Sequence, residues 1–182
     1  MADSAAHPRR TAPLLSVLVA LAAFGCQTPA APPASHELAG IHQLLDALYE
    51  SFCFEVGGEA DWEGMRVLFA EGAAFVAPIT DAAPPRAVGA ETFLADFRAW
   101  STGTAVSTTG LHERIVHARV DVFGAIAHAY VTFEGFVPPD GPATTRGVDS
   151  IQLVRDGGRW LVASFTSQFE NAELPLPARF LR

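Results

Sequence analysis

The stretch "RGVDSIQLVRDGGRW", residues 146–160, predicts one β-strand, a tight turn and the beginning of a second strand. Apolar and polar side chains alternate along it, which is the pattern of a half-buried strand. Consecutive glycines at 157 and 158 supply the backbone angles that a two-residue hairpin turn needs. Asp149 stands among apolar neighbours in the first strand, so the two faces of this hairpin decide whether a carboxylate points into the protein.

The turn predicts which residues share a face of the hairpin. Counting outward from the two glycines pairs Leu153 with Val162, Ile151 with Ser164, and Asp149 with Thr166. On this register the inward face carries Asp149 together with Trp160, Ser164, Thr166 and Gln168. An inward carboxylate must be hydrogen-bonded, paired or protonated, because a bare charge in apolar surroundings is costly and acquires a raised pKa.

Four long strands are predicted in the second half of the chain, at 111–122, 125–136, 145–156 and 159–169. With residues 123 and 124 as the turn of the first hairpin, its inward row contains Phe133 and ends in Arg114 and His112. Glu113 falls on the opposite, polar face. Alternation therefore predicts that His112 and Arg114 lie at one end of the inner sheet face.

Helical periodicity precedes the strands. Apolar residues three and four positions apart predict a first helix of about 16 to 18 residues from Ser35, a second from Asp61 to Gly72, and a third over "AETFLADFRAW". The stretch "AAFVAPI" predicts a short strand between the second and third helices. Helices followed by strands predict an α+β domain, with three N-terminal helices packed on a mainly antiparallel sheet.

Composition limits the class of protein. A chain of 182 residues with 49% hydrophobic side chains suits one domain with a single core. The formal net charge of −8, with scattered charges, argues against a nucleic-acid partner. The sequence has no phosphate-binding glycine loop and no G-x-S-x-G motif. Since His112 and His117 are five apart on a predicted strand and face opposite sides, we expect neither a metal nor another cofactor.

The first 25 residues have the pattern of an export signal, with Arg9 and Arg10 before the apolar stretch "TAPLLSVLVALAAFG". That stretch is too short to span a bilayer. Gly25 and Cys26 follow, and the whole resembles a bacterial lipoprotein signal. Three outcomes stay open: lipidation of Cys26, secretion after removal of the signal, or an uncleaved anchor. We expect the protein in the cell envelope, facing the periplasm on its membrane anchor, or secreted.

These patterns divide the chain into a signal at 1–25, a flexible tether at 26–35, a folded domain at 36–170 and a C-terminal tail at 171–182. Cys53 lies in an apolar helical stretch, where a buried, inert thiol is expected. A disulfide between Cys26 and Cys53 is the alternative.

The segments "LHERIVHARVDVFGAIAHAYVTFEG", "RGVDSIQLVRDGGRW" and "LVASFTSQFE" resemble the nuclear transport factor 2-like superfamily and, within it, the SnoaL-like bacterial proteins. The resemblance covers roughly residues 36–170. It implies a cone formed by a curved sheet and its helices, an apolar cavity inside the cone, and a homodimer. The same cone hosts isomerases, dehydratases, cyclases and noncatalytic binders, so the resemblance does not select a function.

One departure from the superfamily narrows the range of possible functions. Ketosteroid isomerase-like members carry their general base just before a Pro, at a position matched here by Ala77 in "FVAP". That base is missing here. Because it faces inward on the predicted hairpin, Asp149 is the candidate general acid or base. His112 titrates near neutral pH and could assist, and Arg114 could hold an anionic or carbonyl oxygen. The alternative is that Asp149 and Arg114 form a structural ion pair or hydrogen-bond to the backbone, and that His112 is a buried histidine with its hydrogen bonds satisfied.

Three functions are compatible with these residues. The first is a binding protein for a small apolar or amphipathic molecule, and its candidate ligand-binding residues are Tyr49, Trp62, Phe133, Trp160, Ser164, Thr166 and Gln168. Core packing is the alternative for Tyr49 and Trp62, and hydrogen bonds among themselves are the alternative for the three polar residues of the last strand. The second is an acid/base enzyme of the cyclase, isomerase or dehydratase type, with Asp149, His112 and Arg114 as catalytic residues. The third is a noncatalytic dimerisation or partner-binding domain that uses the polar outer face of the sheet.

Overall fold

The computed structural model describes residues 35–76 and 84–182. The predicted signal, the lipidation site Cys26 and most of the tether lie outside these ranges, as does Ala77. The elements, in chain order, are α1 (Ser35–Phe52), α2 (Trp62–Arg66), β1 (Phe69–Val76), β2 (Ala87–Gly89), α3 (Ala90–Gly103), α4 (Val106–Thr109), β3 (His112–Phe123), β4 (Ile126–Phe136), β5 (Ala143–Asp156), β6 (Arg159–Phe169) and a final 3-10 turn (Ala178–Phe180).

The six strands form one sheet in the order β2-β1-β6-β5-β4-β3. Neighbouring strands are antiparallel except β1 and β6, which run parallel. The α+β class and the mainly antiparallel sheet are therefore confirmed. The prediction of three N-terminal helices is not: the described ranges contain four α-helices, and α3 and α4 follow the first two strands.

The second helix is much shorter than its periodicity predicts. It begins after the expected N-cap, since Asp61 Oδ1 accepts a hydrogen bond from the Gly64 amide at 2.9 Å. It ends at Arg66, and Phe69 already belongs to β1, where it pairs with Val162. Gly72, predicted as the helix end, has φ +75 inside the irregular part of β1. Pairing with β6 therefore overrides helical propensity here.

The first helix packs one apolar stripe against the inner face of the sheet. The buried side chains of this stripe are Ile41, Leu44, Leu45, Leu48, Tyr49 and Phe52. Burying an aliphatic or aromatic side chain of this size stabilises the fold by about 1.5–3 kcal/mol. Tyr49 is the member of the stripe that brings a hydroxyl into this interface. No helix of the described ranges is long and apolar enough to cross a membrane.

The hairpin between β5 and β6 turns at the predicted glycines. Gly157 and Gly158 have φ of +55 and +82, angles that side-chain-bearing residues rarely adopt. The hairpin between β3 and β4 turns one residue later than predicted, because Phe123 pairs with Ile126. Each residue of β3 near the turn therefore pairs two positions further along β4 than predicted, as Val122 does with Ala127. Since side chains alternate with a period of two, the same residues still face inward.

Two of the irregularities in the sheet reverse the faces of predicted site residues. In β3 the pairing with β4 skips Val116, and in β6 the pairing with β5 skips Ala163. Each extra residue is a β-bulge, beyond which every side chain of that strand points to the other face. The residues that follow these bulges are the ones on which the site depends.

The C-terminal segment lies on the outer face of the sheet. The Thr132 hydroxyl, buried on β4, donates a hydrogen bond to the backbone oxygen of Phe180. The Phe180 ring contacts Tyr130 with ring centroids 5.6 Å apart. The Leu176 amide donates to Glu170 Oε1 at 2.8 Å. Residues after β6 therefore cover part of the outer face of β4.

Candidate functional site

Asp149 lies on the inner face of β5 and is only 2% exposed. Its cross-strand neighbours are Val131 on β4 and Ser167 on β6, and Ile151 is the next inward residue on its own strand. The sequence-based prediction that Asp149 faces the interior is confirmed. A carboxyl group is therefore held in the middle of the sheet under the first helix.

Tyr49 approaches Asp149 from the helix side. It is 2% exposed, and its hydroxyl donates a short hydrogen bond to Asp149 Oδ2. The other carboxyl oxygen, Oδ1, is buried and has no hydrogen-bond partner among the described residues. Since a buried polar atom without a partner is costly, this oxygen is the feature of the interior that packing alone does not explain.

Burial controls the ionisation of this pair. It raises the pKa of Asp149 from 3.8 to about 7, although the hydroxyl groups of Ser167 and Tyr49 act in the opposite direction. It also raises the pKa of Tyr49 well above 10, and the nearby Asp149 charge raises it further. Near neutral pH, Asp149 therefore exists in both protonation states, while Tyr49 keeps its proton and remains a donor.

Glu113 is a second acid of the inner face, and the sequence-based prediction put it on the outer face. The bulge at Val116 turns it inward, on the same side as Ile115, and it is half-buried. Burial and the charge of Asp149 raise the pKa of Glu113 to about 8. Asp149 and Glu113 are therefore close enough to interact electrostatically, and both hold protons into the neutral range.

The backbone of Glu113 is tied to the end of the first helix. Its amide donates to Cys53 Sγ at 3.2 Å, and the thiol contacts the backbone oxygens of Tyr49 and Glu113 at 3.2 and 3.5 Å. Phe54 and Leu111 exchange two backbone hydrogen bonds beside it, at 2.8 and 2.9 Å. Burial raises the pKa of the Cys53 thiol, which agrees with the predicted inert role.

Aromatic rings connect the Asp149–Tyr49 pair to the surface. Phe133, a predicted ligand-binding residue, faces inward and packs on Tyr49 with ring centroids 6.2 Å apart. Phe169 contacts Phe133 at 6.0 Å and lines a surface groove of about 570 Å³. The Gly147 position allows this packing, since a Cβ there would lie 2.9 Å from the Phe133 ring.

Solved structures with a similar fold were found across most of the chain. A nuclear transport factor 2-like protein of unknown function from Pseudomonas putida KT2440 has a TM-score of 0.59 at 15% identity, over 79% of this chain and 95% of that one. A protein of unknown function with a cystatin-like fold from Nostoc punctiforme has a TM-score of 0.60 at 14% identity, over 76% and 95%. The chain has the nuclear transport factor 2-like fold.

A third similar structure has a name that refers to chemistry. It is described as a "putative dehydratase" of the nuclear transport factor 2-like family from Streptomyces avermitilis, with a TM-score of 0.59 at 16% identity over 75% of this chain and 98% of that one. No protein-family model matches the sequence, and neither does any curated protein. At such low identity these similarities establish the fold alone.

Within this nuclear transport factor 2-like domain, the prediction that His112 and Arg114 face the interior is wrong. Because of the bulge at Val116, both point to the outer face and are exposed. Arg114 forms an ion pair with Glu134 at 2.6 Å and lies over the Phe136 ring, which His112 also contacts. The predicted grouping of Asp149 with His112 and Arg114 does not form.

The prediction that Ser164, Thr166 and Gln168 face inward is also wrong. The bulge at Ala163 makes Ser164 pair with Gln152, Thr166 with Ser150, and Gln168 with Val148, all on the outer face. The same bulge brings Ser167 inward opposite Asp149, where Thr166 was expected. Neither bulge residue differs from an ordinary strand residue, so the sequence contained no local signal for Glu113 or Ser167.

The two tryptophans of the predicted site lie elsewhere. Trp62 is half-buried, and its Nε1 donates to Glu59 Oε2 at 2.7 Å. Trp160 is buried and faces inward as predicted, but it packs beside Gly40 near the hairpin turn, with Arg155 over its ring. Neither of these contacts involves Asp149 or Tyr49.

Phenylalanines occupy the region between the third helix and the sheet. The rings in mutual contact include Phe52, Phe69, Phe75, Phe93, Phe97 and Phe165. This side of the interior is packed, so the polar interior site is confined to the surroundings of Asp149. Among the residues described, no group of three or more His, Cys, Asp or Glu side chains is placed to hold a metal ion.

Proposed function

We propose that the protein is an exported, lipid-anchored SnoaL-like domain that binds a small apolar or amphipathic molecule inside its cone, with Asp149 and Tyr49 at the polar end of the ligand. The export signal and Cys26 support the location. The polar pair is surrounded by the inward residues Val131, Ile151 and Phe133, which suit the apolar part of such a molecule.

The unpartnered Oδ1 of Asp149 is the observation that carries this proposal. The Tyr49 hydroxyl donates to Oδ2, whereas Oδ1 lies buried and accepts no hydrogen bond of normal geometry from the described residues. The Ser167 hydroxyl on β6 faces the same carboxyl group and lowers its pKa. The large majority of buried carboxyl oxygens are hydrogen-bonded, because an unsatisfied one costs about 1–3 kcal/mol or more. A ligand that donates a hydrogen bond to Oδ1 supplies the missing contact.

Native mass spectrometry of the full chain, isolated from the envelope fraction, tests the proposal. We expect a ligand to copurify with the wild-type protein and to be lost or reduced in Asp149→Asn. Asp96→Asn is the matched control, because Asp96 is exposed on the third helix. Absence of any copurifying molecule, together with no binding of added amphiphiles, would contradict ligand binding.

The location requires its own experiment. We expect the mature protein to begin at Cys26 with an added lipid mass and to fractionate with membranes, whereas Cys26→Ala leaves it unlipidated. Mass spectrometry of the N-terminal peptide reports the modification directly. A soluble mature chain whose N-terminal peptide carries no lipid would contradict lipid anchoring.

An acid/base enzyme of the cyclase, isomerase or dehydratase type is the second candidate. The raised pKa of Asp149, about 7, favours it, because a group that titrates near the working pH can both take and return a proton. Incubating the copurified ligand with the protein in deuterium oxide tests it. Turnover predicts deuterium uptake or a changed ligand mass in wild type and Asp96→Asn, and neither change in Asp149→Asn.

We also propose a homodimer that uses the outer face of the sheet. Its half-buried and exposed residues Arg119, His128 and Tyr130 offer a mixed polar surface next to the C-terminal segment. Sedimentation velocity of the mature chain tests this proposal. A monomer at all concentrations would contradict the dimer and would leave the interior site unaffected.

A further inference from the structure

We infer that the interior site accepts an amphiphile whose polar group is a hydroxyl or an amine and discriminates against one that ends in a carboxylate. This inference rests on the proposed ligand binding and adds the chemical class of the ligand. It follows from three features of the site: its own polar groups, the distribution of the arginines, and the free oxygen of Asp149.

The polar groups around the site are acids and hydroxyls. Asp149 is contacted from the first helix by Tyr49 and lies opposite Ser167 on β6. Glu113 faces the same interior from β3, and the Cys53 thiol holds its backbone. From β4 the site receives the apolar side chains of Val131 and Phe133. Each packed element therefore contributes an acid, a hydroxyl, a thiol or an apolar group.

None of the described positive charges is paired with the interior acids. All 12 Lys and Arg residues of the chain are arginines. In the part of the chain that the structure describes, no arginine forms an ion pair with Asp149 or Glu113. Arg114 on β3 and Arg146 on β5 lie on the outer face. They form ion pairs there with Glu134 and Glu170 respectively, each at 2.6 Å. Among the described residues, the two interior acids therefore have no paired cation that could neutralise an anionic ligand.

The free oxygen of Asp149 requires a donor. Oδ1 accepts hydrogen bonds when the carboxyl group is ionised, and Tyr49 already donates to the other oxygen. An alcohol or an ammonium group supplies the missing donor. A carboxylate ligand is an acceptor only, and it would also face Asp149 and Glu113, whose like charges oppose it in surroundings from which water is largely excluded.

Binding of three matched probes tests the inference. Decanol, decylamine and decanoate share one chain and differ in the polar group, and each is titrated into the full chain near pH 8 by isothermal calorimetry. We expect decanol and decylamine to bind, and decanoate to bind at least about tenfold more weakly, which corresponds to about 1.4 kcal/mol.

Variants identify the groups responsible. Asp149→Asn is expected to weaken decylamine binding about tenfold or more, and Glu113→Gln to reduce the discrimination against decanoate, while Asp96→Asn binds like wild type. Circular dichroism confirms folding, and the Glu113→Gln result decides if Asp149→Asn does not fold. Decanoate binding as tight as decanol binding, or selectivity unchanged in both site variants, overturns the inference but leaves ligand binding standing. Failure of all three probes to bind overturns both.

Discussion

A buried acid makes folding stability depend on pH, and Asp149→Asn measures that dependence. Burial raises the pKa of Asp149 from 3.8 to about 7 in the folded protein. Between these values the folded protein keeps a proton that the unfolded chain has released, so the free energy of unfolding falls as the pH rises. The contribution of Asp149 to stability is fully present below pH 3.8 and is lost above about pH 7.

The magnitude follows from the two pKa values. A tenfold change in an ionisation constant is worth about 1.4 kcal/mol, so ionising Asp149 inside the folded protein costs about 4 kcal/mol relative to the unfolded chain. Domains are commonly stable by only about 5–15 kcal/mol, which makes this a large fraction. Asn has nearly the same shape as Asp and carries no charge at any pH, so the unfolding free energy of the variant does not fall by this amount as the pH rises.

Urea unfolding at about pH 4 and about pH 8 measures the effect. The decrease in unfolding free energy between the two pH values should be smaller in Asp149→Asn than in wild type by about 4 kcal/mol. Removing the Asp149 charge also lowers the raised pKa of Glu113, which changes the profile in the same direction. The exposed Asp96→Asn variant should follow wild type. Parallel profiles for wild type and Asp149→Asn would refute the reasoning.

Three other substitutions test the contacts around the site. Tyr49→Phe removes the donor to Asp149, so we expect the free energy of unfolding near pH 8 to fall by about 1.5–3 kcal/mol, and by less in the Asp149→Asn background. A double-mutant cycle measures the difference between the two backgrounds. An equal loss in both would contradict the hydrogen bond. Gly147→Ala places a methyl group 2.6 Å from a backbone oxygen, so urea unfolding should show a loss of about 1–3 kcal/mol, whereas Gly103→Ala meets no atom within 4 Å and should not destabilise the domain. Arg114→Ala breaks an exposed ion pair, so we expect a change below about 1 kcal/mol and unchanged ligand retention by native mass spectrometry; loss of ligand would place Arg114 in the site.

Periodicity predicted those elements whose neighbours agree with it. The first helix, the third helix and the four long strands lie within a few residues of their predicted positions, because each carries an apolar face that meets the core. The prediction of the second helix was wrong from Phe69 onward, where the same apolar residues also suit a strand. Pairing with β6, a strand nearly a hundred residues later, decided between the two, and no local pattern records that contact.

The site was predicted only as far as the alternation of the strands held. Asp149 was placed correctly because no bulge separates it from the glycine turn on its own strand, whereas Thr166 was misplaced because Ala163 intervenes on the other. Tyr49 was only a candidate lining residue from its helix position, and its bond to Asp149 joins residues 100 apart in the chain. Such a bond depends on how the helix lies on the sheet, which neither the helical period of 3.6 residues nor the strand period of two describes.

The two bulges together make the interior acidic. Without the bulge at Val116, Arg114 would share the inner face and Glu113 would lie outside, and an arginine would be available to neutralise an interior acid. With the bulge, Arg114 is outside on Glu134 and Glu113 is inside. The bulge at Ala163 likewise places a small hydroxyl, Ser167, opposite Asp149. Backbone irregularity therefore keeps Arg114 away from Asp149, whose Oδ1 is the atom to which the proposed ligand donates.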